Sequence, residues 1–90
     1  MAASEIVRLI WEDLTSVMRN AHAYLQARIE TSDPTVDRQE VVRLLSVQET
    51  LVARVLLCRP LSGETEDVQL AKLKSVEDDV ELHQLQVFHV

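Results

Sequence analysis

Apolar residues recur along much of this chain at intervals of three and four, the spacing that gathers them on one side of an α-helix. Between about residues 4 and 30 the series Val7, Ile10, Leu14, Val17, Ala21, Tyr24 and Leu25 keeps that interval. At about 100° per residue, Trp11, Met18, His22 and Ile29 widen the stripe along one flank. Ser4 stands where an N-cap is expected, and Glu5 lies beside the positive end of the helix dipole. The pattern predicts a first helix that touches more than one neighbour.

The next segment carries the clearest local signal. Asp37 with Glu40 three residues on has the layout of a capping box, and Val36 and Val41 occupy the positions of a hydrophobic staple. A second helix is predicted from about 37 to 59, ending before Pro60; Asp33 capping a turn that begins at Pro34 is the alternative start. Val41, Leu44, Leu45, Val47, Leu51, Val52, Val55, Leu56 and Cys58 spread over about 180° at helical pitch. An arc that wide predicts a central helix covered on both sides by the others. Gln48 falls near the middle of the arc. A polar residue in a core register commonly fixes register or oligomeric state at some cost in stability.

A third helix is predicted from about 65 to 87, with Thr65 as its cap and Glu66 and Asp67 in its first turn. Leu73, Val76, Val80 and Val87 form its buried stripe, with Val68 at one margin, while Leu70, Ala71, Leu82, Leu85 and Phe88 point elsewhere. From Leu85 to Val90 the residues also alternate and are β-prone, so strand or tail is the alternative beyond Leu85.

The single Gly and the two Pro residues fall in only two places and cut the chain into these three segments. An all-β domain needs turn signals every 8–12 residues or so, and none recur here. The expected fold is all-α, an antiparallel three-helix bundle running up-down-up, with residues 1–90 as one helical domain. In a variant, the hairpin of the first two helices pairs with its copy in a second chain, giving a four-helix core with the third helix outside.

Composition sharpens this picture. With 47% apolar and 27% charged residues the chain has the material of a folded domain. At this size only about 60–65% of the unfolded surface is buried on folding, which favours self-association or a partner. One Cys excludes an internal disulfide and a thiol-rich zinc finger. No stretch approaches the roughly 18 apolar residues of a membrane span. The start, Met-Ala-Ala-Ser-Glu, lacks the basic-then-apolar layout of a secretion signal. An intracellular, cytoplasmic chain with no membrane insertion is expected.

The net charge of −6 is unevenly spread. Residues 1–31 hold four acids and three arginines, and residues 32–60 hold four of each. Residues 61–90 hold seven acids against Lys72 and Lys74, with Glu77, Asp78, Asp79 and Glu81 clustered. Nucleic acid needs the opposite sign, so the run reads either as a solvated face or as a strip for a basic partner. Without a Gly at the turn, Asp78 and Asp79 do not make a calcium loop.

Chemistry-bearing constellations are sparse. His83 falls in the third stripe, where a satisfied, partly buried imidazole is expected, and the six-residue step to His89 does not suit metal binding on one helix face. Cys58 lies on the buried side of the second helix, with nothing nearby to lower its pKa. Glu12 and Asp13 point about 100° apart and cannot share a proton. Arg28 continues the first stripe near the helix end, where it can reach solvent or cap carbonyls. Arg8, Arg28, Arg38 and Gln48 invite comparison with the small all-helical chorismate mutases, and Asp37-Arg38-Gln39-Glu40 echoes an Asp-Arg-x-Glu stretch there. The first-helix Arg-x-x-Ile-Asp core of that family is absent, so no residues are carried over. No cofactor or metal site is expected.

The remaining signal is apolar surface. Leu9, Leu57, Leu70, Leu82 and Leu85 do not fit one tight core, and gathered on a face they would form a larger patch than a monomer leaves wet. The expected function is a non-catalytic protein–protein interaction module: an adaptor, chaperone-like or structural subunit, working as a homodimer or in a hetero-complex. Its partner-binding residues are expected to be Leu70, Glu77, Asp78, Asp79, Leu82, Leu85 and Phe88. The alternatives are a small acidic inhibitor whose third segment occupies a basic site and, further off, a helical enzyme with a pocket around Arg28 and Gln48.

Overall fold

The computed structural model describes residues 2–90, with side chains from Glu5 onward. Three helices, α1 (Ala2–Glu30), α2 (Arg38–Leu57) and α3 (Glu66–Val87), each pack against both others as an antiparallel three-helix bundle. The bundle is a rod of 51 × 17 × 17 Å. Its radius of gyration of 15.2 Å exceeds the roughly 12 Å of a compact chain this long.

The rod follows from the register of the buried positions. On α1 they are Val7, Leu14, Met18, Ala21 and Leu25, with Trp11 and Arg28 half-buried in the same series. Those on α2 are Val41, Leu44, Gln48, Leu51, Val55 and Cys58, and those on α3 are Gln69, Leu73, Val76, Val80, His83 and Val87. All three series alternate steps of three and four without a break. That is the heptad seam of coiled coils, which keeps one narrow stripe facing the partner helices along the whole length.

Two expectations are corrected here. The second helix is not central, because α1 and α3 also pack directly on each other and the section is triangular. Nor is its wide apolar arc fully covered: Leu45, Val47 and Val52 are half-buried and Leu56 is exposed, with Val42 and Leu57 exposed outside the arc. Three helices joined by narrow seams need only the heptad stripe of each, so the rest of the arc stays outside.

Local chemistry sets the ends. The Asp37 carboxylate accepts from the backbone N–H groups of Gln39 and Glu40 at 3.1 and 3.2 Å, and Val36 packs on the cluster that contains Val41. Glu40 turns to Arg43 instead of back to the cap, so the box is one-sided. Asp33 holds the preceding turn, accepting from the N–H and hydroxyl of Thr35 at 2.9 and 2.7 Å, and does not cap α2. Thr65 caps α3 through the Val68 N–H at 3.2 Å. The left-handed φ of 92° in the loop between α2 and α3 falls on Gly63, where the absence of a Cβ removes the strain.

Other ends differ from expectation. The first helix already runs at Ala2, so Ser4 is not its cap, and its side chain lies outside the described residues. Helix α2 stops at Leu57. Near that end the Trp11 indole N–H donates to the Val55 carbonyl at 2.7 Å, which also accepts from the Cys58 N–H at 3.0 Å. Arg38, not Arg28, serves the end of α1, donating to the Ile29 carbonyl at 2.7 Å. The tail beyond α3 is neither strand nor loose: Phe88 is the C-cap, Val90 packs against the cluster of Ala21, Leu25, Val41, Leu44 and Val87, and the Tyr24 hydroxyl donates to the Val90 carbonyl at 2.7 Å.

Candidate functional site

The core is divided in two. One cluster gathers Val7, Leu14, Met18, Leu51, Val55, Cys58, Leu73, Val76 and Val80, and the other gathers Ala21, Leu25, Val41, Leu44 and Val87. Between them lie Gln48 and His83, both 2% exposed. The Gln48 amide N–H donates to the Met18 carbonyl at 2.9 Å, and its oxygen faces His83 Nε2 at 3.1 Å. Oriented so, the amide oxygen accepts from an Nε2–H tautomer and leaves Nδ1 as a buried acceptor with no partner. Burial holds the imidazole pKa below its usual 6.5, and the charge of Arg43 adds to this. His83 is therefore buried as expected but only half satisfied. Every helix contributes to this layer, which ties their registers together.

The residues expected to bind a partner separate into three groups. Leu70 packs, half-buried, against the first of the two core clusters, which forms the lower core. Asp79 accepts from Arg54 at 2.7 Å while Arg54 also donates to the Ser75 carbonyl at 2.9 Å. It is a tie between α2 and α3. Leu82, Leu85 and Phe88 remain exposed at 56%, 59% and 58%, with Glu77 and Asp78 also exposed beside them. Steps of three residues, about 60° short of a full turn each, lay Leu82, Leu85 and Phe88 along one ridge winding over the outer surface of α3. Its far end is braced, since the Phe88 ring packs on Tyr24 at 5.7 Å between centroids and 59° between planes.

A second surface lies between α1 and α2. It is a groove of about 440 Å³ with Met18 and Val55 at its base, Val52 and Leu56 on the α2 side, and Arg19 and His22 on the α1 side. Sequence reasoning missed it, although the signal was present. Val42, Leu45, Glu49, Val52, Leu56 and Arg59 repeat the three-four step one position away from the buried seam. The broad arc of α2 is thus two adjacent heptad series, and the bundle uses one. A second hollow, about 650 Å³, opens at the rod's end around Trp11, Arg8 and Leu61, with Arg59 stacked 5.9 Å from the Trp11 ring.

The catalytic candidates do not assemble. Arg28 has its Nε buried without a partner, and the groove at Gln48 is not lined by Arg28, so the two do not form one pocket. Cys58 is 7% exposed and its thiol donates to the Lys72 carbonyl at 3.2 Å. Among the described residues no three His, Cys, Asp or Glu side chains are grouped to hold a metal ion. No helix among the described residues is long and apolar enough to cross a membrane. Compared with known protein families, curated proteins and solved structures, the chain matches none.

Proposed function

We propose that this chain is a non-catalytic interaction module of the cytoplasm, an adaptor, chaperone-like or structural subunit that docks another protein on the outer surface of α3. The observation that supports this reading most is the Leu82–Leu85–Phe88 ridge, three large apolar side chains left more than half exposed along one face of α3. Helix-in-groove recognition uses such anchors at helical spacing. Carboxylates of Glu77, Asp78 and Glu81 flank the ridge, so the fitting partner carries an apolar groove with a basic rim. Complementary charge would speed the encounter and exclude wrong partners more than it would add affinity.

A second reading, an acidic inhibitor, draws on one specific feature. Of the seven acids in residues 61–90, Glu64 and Asp79 are engaged by Lys72 and Arg54, which leaves five with no ion pair among the described residues. Affinity purification from the native cell with three chains separates the readings: wild type, Leu82→Asp/Leu85→Asp, and Glu77→Gln/Asp78→Asn/Glu81→Gln. The interaction-module reading expects the apolar variant to lose the specific partner and the neutralised one to keep it within a few-fold. The reverse result would establish the inhibitor and remove the module.

A further inference from the structure

His83 marks a boundary along α3. Before it, α3 is tied to α2 by Arg54, which donates to Asp79 and to the Ser75 carbonyl, and by the Cys58 thiol on the Lys72 carbonyl, over a buried stripe of Leu73, Val76 and Val80. Beyond it, among the described residues, no side-chain hydrogen bond or ion pair joins the two helices. Val87 is buried there and Val90 half-buried, and Tyr24 of α1 contributes its ring to Phe88 and its hydroxyl to the Val90 carbonyl. The last turn holds no basic residue to complement the helix dipole. The thinly held segment carries Leu85 and Phe88, and Leu82 stands at its start.

The bond at the boundary depends on the charge of the ring. His83 Nε2 faces the Gln48 amide oxygen, and Nδ1 is enclosed with no partner. A second proton falls on that Nδ1 and puts a cation with an unmet donor between two apolar clusters. The surrounding charges do not receive it. Arg43 on α2 repels it. Arg54 shares the α2/α3 hollow of about 310 Å³ with the ring and already holds Asp79, one turn back on α3. On α1, Arg19 and His22 line the groove on the Gln48 side. We propose that His83 is a proton-sensitive latch: when its ring takes up a second proton, residues 83–90 leave the bundle while the remainder stays folded, so that acid releases the segment carrying the ridge. Burial holds the docked ring's pKa below 6.5, whereas a released ring has the ordinary value. The released form therefore gains up to about tenfold in relative population per pH unit below that value, until the docked ring itself titrates. Release needs no partner; its control of docking rests on the interaction reading above.

Amide hydrogen exchange of the purified chain, followed by NMR and corrected for the intrinsic rate at each pH, tests the latch. Protection of the Leu85–Phe88 amides is expected to lie below that of Leu73–Val80 and to fall by up to about tenfold as pH drops from about 6.5 to about 5.5. In His83→Leu and His83→Gln, each checked for folding by circular dichroism, it stays constant over that range. His22→Gln and His89→Gln behave as wild type, which assigns the effect to one ring. Wild-type protection that does not vary with pH would mean that the tail frays without uncovering His83. Equal protection in both parts of α3 would mean that the bundle opens only as a whole. Either result overturns the proposal, as does a pH response that survives in both His83 variants. No partner is present in this experiment, so the latch can fall while the interaction reading stands.

Discussion

Gln48 and His83 meet 3.1 Å apart at the level where the two halves of the core separate, 35 residues apart in sequence. The amide satisfies both its own groups, to Met18 and to the ring, but the ring satisfies only one of its nitrogens. Gln48→Leu therefore strands the Nε2–H of His83 in an apolar core, and a loss of about 1–3 kcal/mol is expected in urea unfolding. Gln48→Leu/His83→Leu removes the whole polar layer and should lose less than the single change, since no buried donor is left over. A double variant less stable than Gln48→Leu would show that the layer contributes stability beyond its mutual pairing.

The same ring sets a pH dependence near neutrality. Its folded pKa lies below 6.5, chiefly through burial and secondarily through Arg43. Below 6.5 the unfolded chain binds the proton more readily than the folded one, so the contribution of His83 is complete above 6.5 and declines as pH falls below it. Urea midpoints measured between about pH 5 and 8 should slope upward in wild type across this range, and the slope should flatten in His83→Leu.

A second, more acidic step belongs to the loops. Glu64 accepts from Lys72 at 2.9 and 3.0 Å and from the Leu61 N–H at 2.8 Å. The Lys72 ammonium first, and that N–H second, hold its pKa below 4.5. Asp33, bonded by the N–H and hydroxyl of Thr35, is likewise held below 3.8. Both groups favour the folded state above their unfolded pKa values, and that contribution disappears as pH falls through the folded ones. Glu64→Gln should remove part of the acid-side loss of stability while leaving the step near 6.5 in place.

Asp37→Ala frees two backbone donors at the start of α2, and about 1 kcal/mol of stability should go with them. Asp37→Asn keeps an acceptor and should cost only a fraction of that. Thermal unfolding of the two variants side by side reads the difference.

Cys58 should behave as a core residue. With its sulfur buried and bonded to the Lys72 carbonyl, its reaction with an aromatic disulfide reagent should be slow in the native protein and fast in urea. Rapid native labelling would mean that the lower core opens far below the global unfolding free energy.

What could be read from the sequence, and what could not, divides along the range of the interactions. The Asp37 and Thr65 caps, the Val36–Val41 staple and the interrupted apolar stripe at Gln48 are decided within a few residues, and they stand as expected. Arg38 displacing Arg28 at the end of α1, and Asp79 closing on Arg54 across 25 residues, depend on which helix faces lie side by side. Of the expected binding residues, Leu70 packs on the core and Asp79 pairs with Arg54 for that reason. The extent of covering on α2 could not be read from its arc, because an apolar side chain at the flank looks the same whether a neighbour arrives or not. Resolving that arc into two offset heptad series requires knowing that the buried seam is narrow.

The account turns on the α3 ridge binding rather than holding the fold together. The direct measurement is the affinity of purified wild-type and Leu82→Asp/Leu85→Asp chains for the isolated partner, by calorimetry, with the urea midpoint of each chain taken alongside. The account predicts an affinity loss of at least about tenfold with an unchanged midpoint. An unchanged affinity would contradict it.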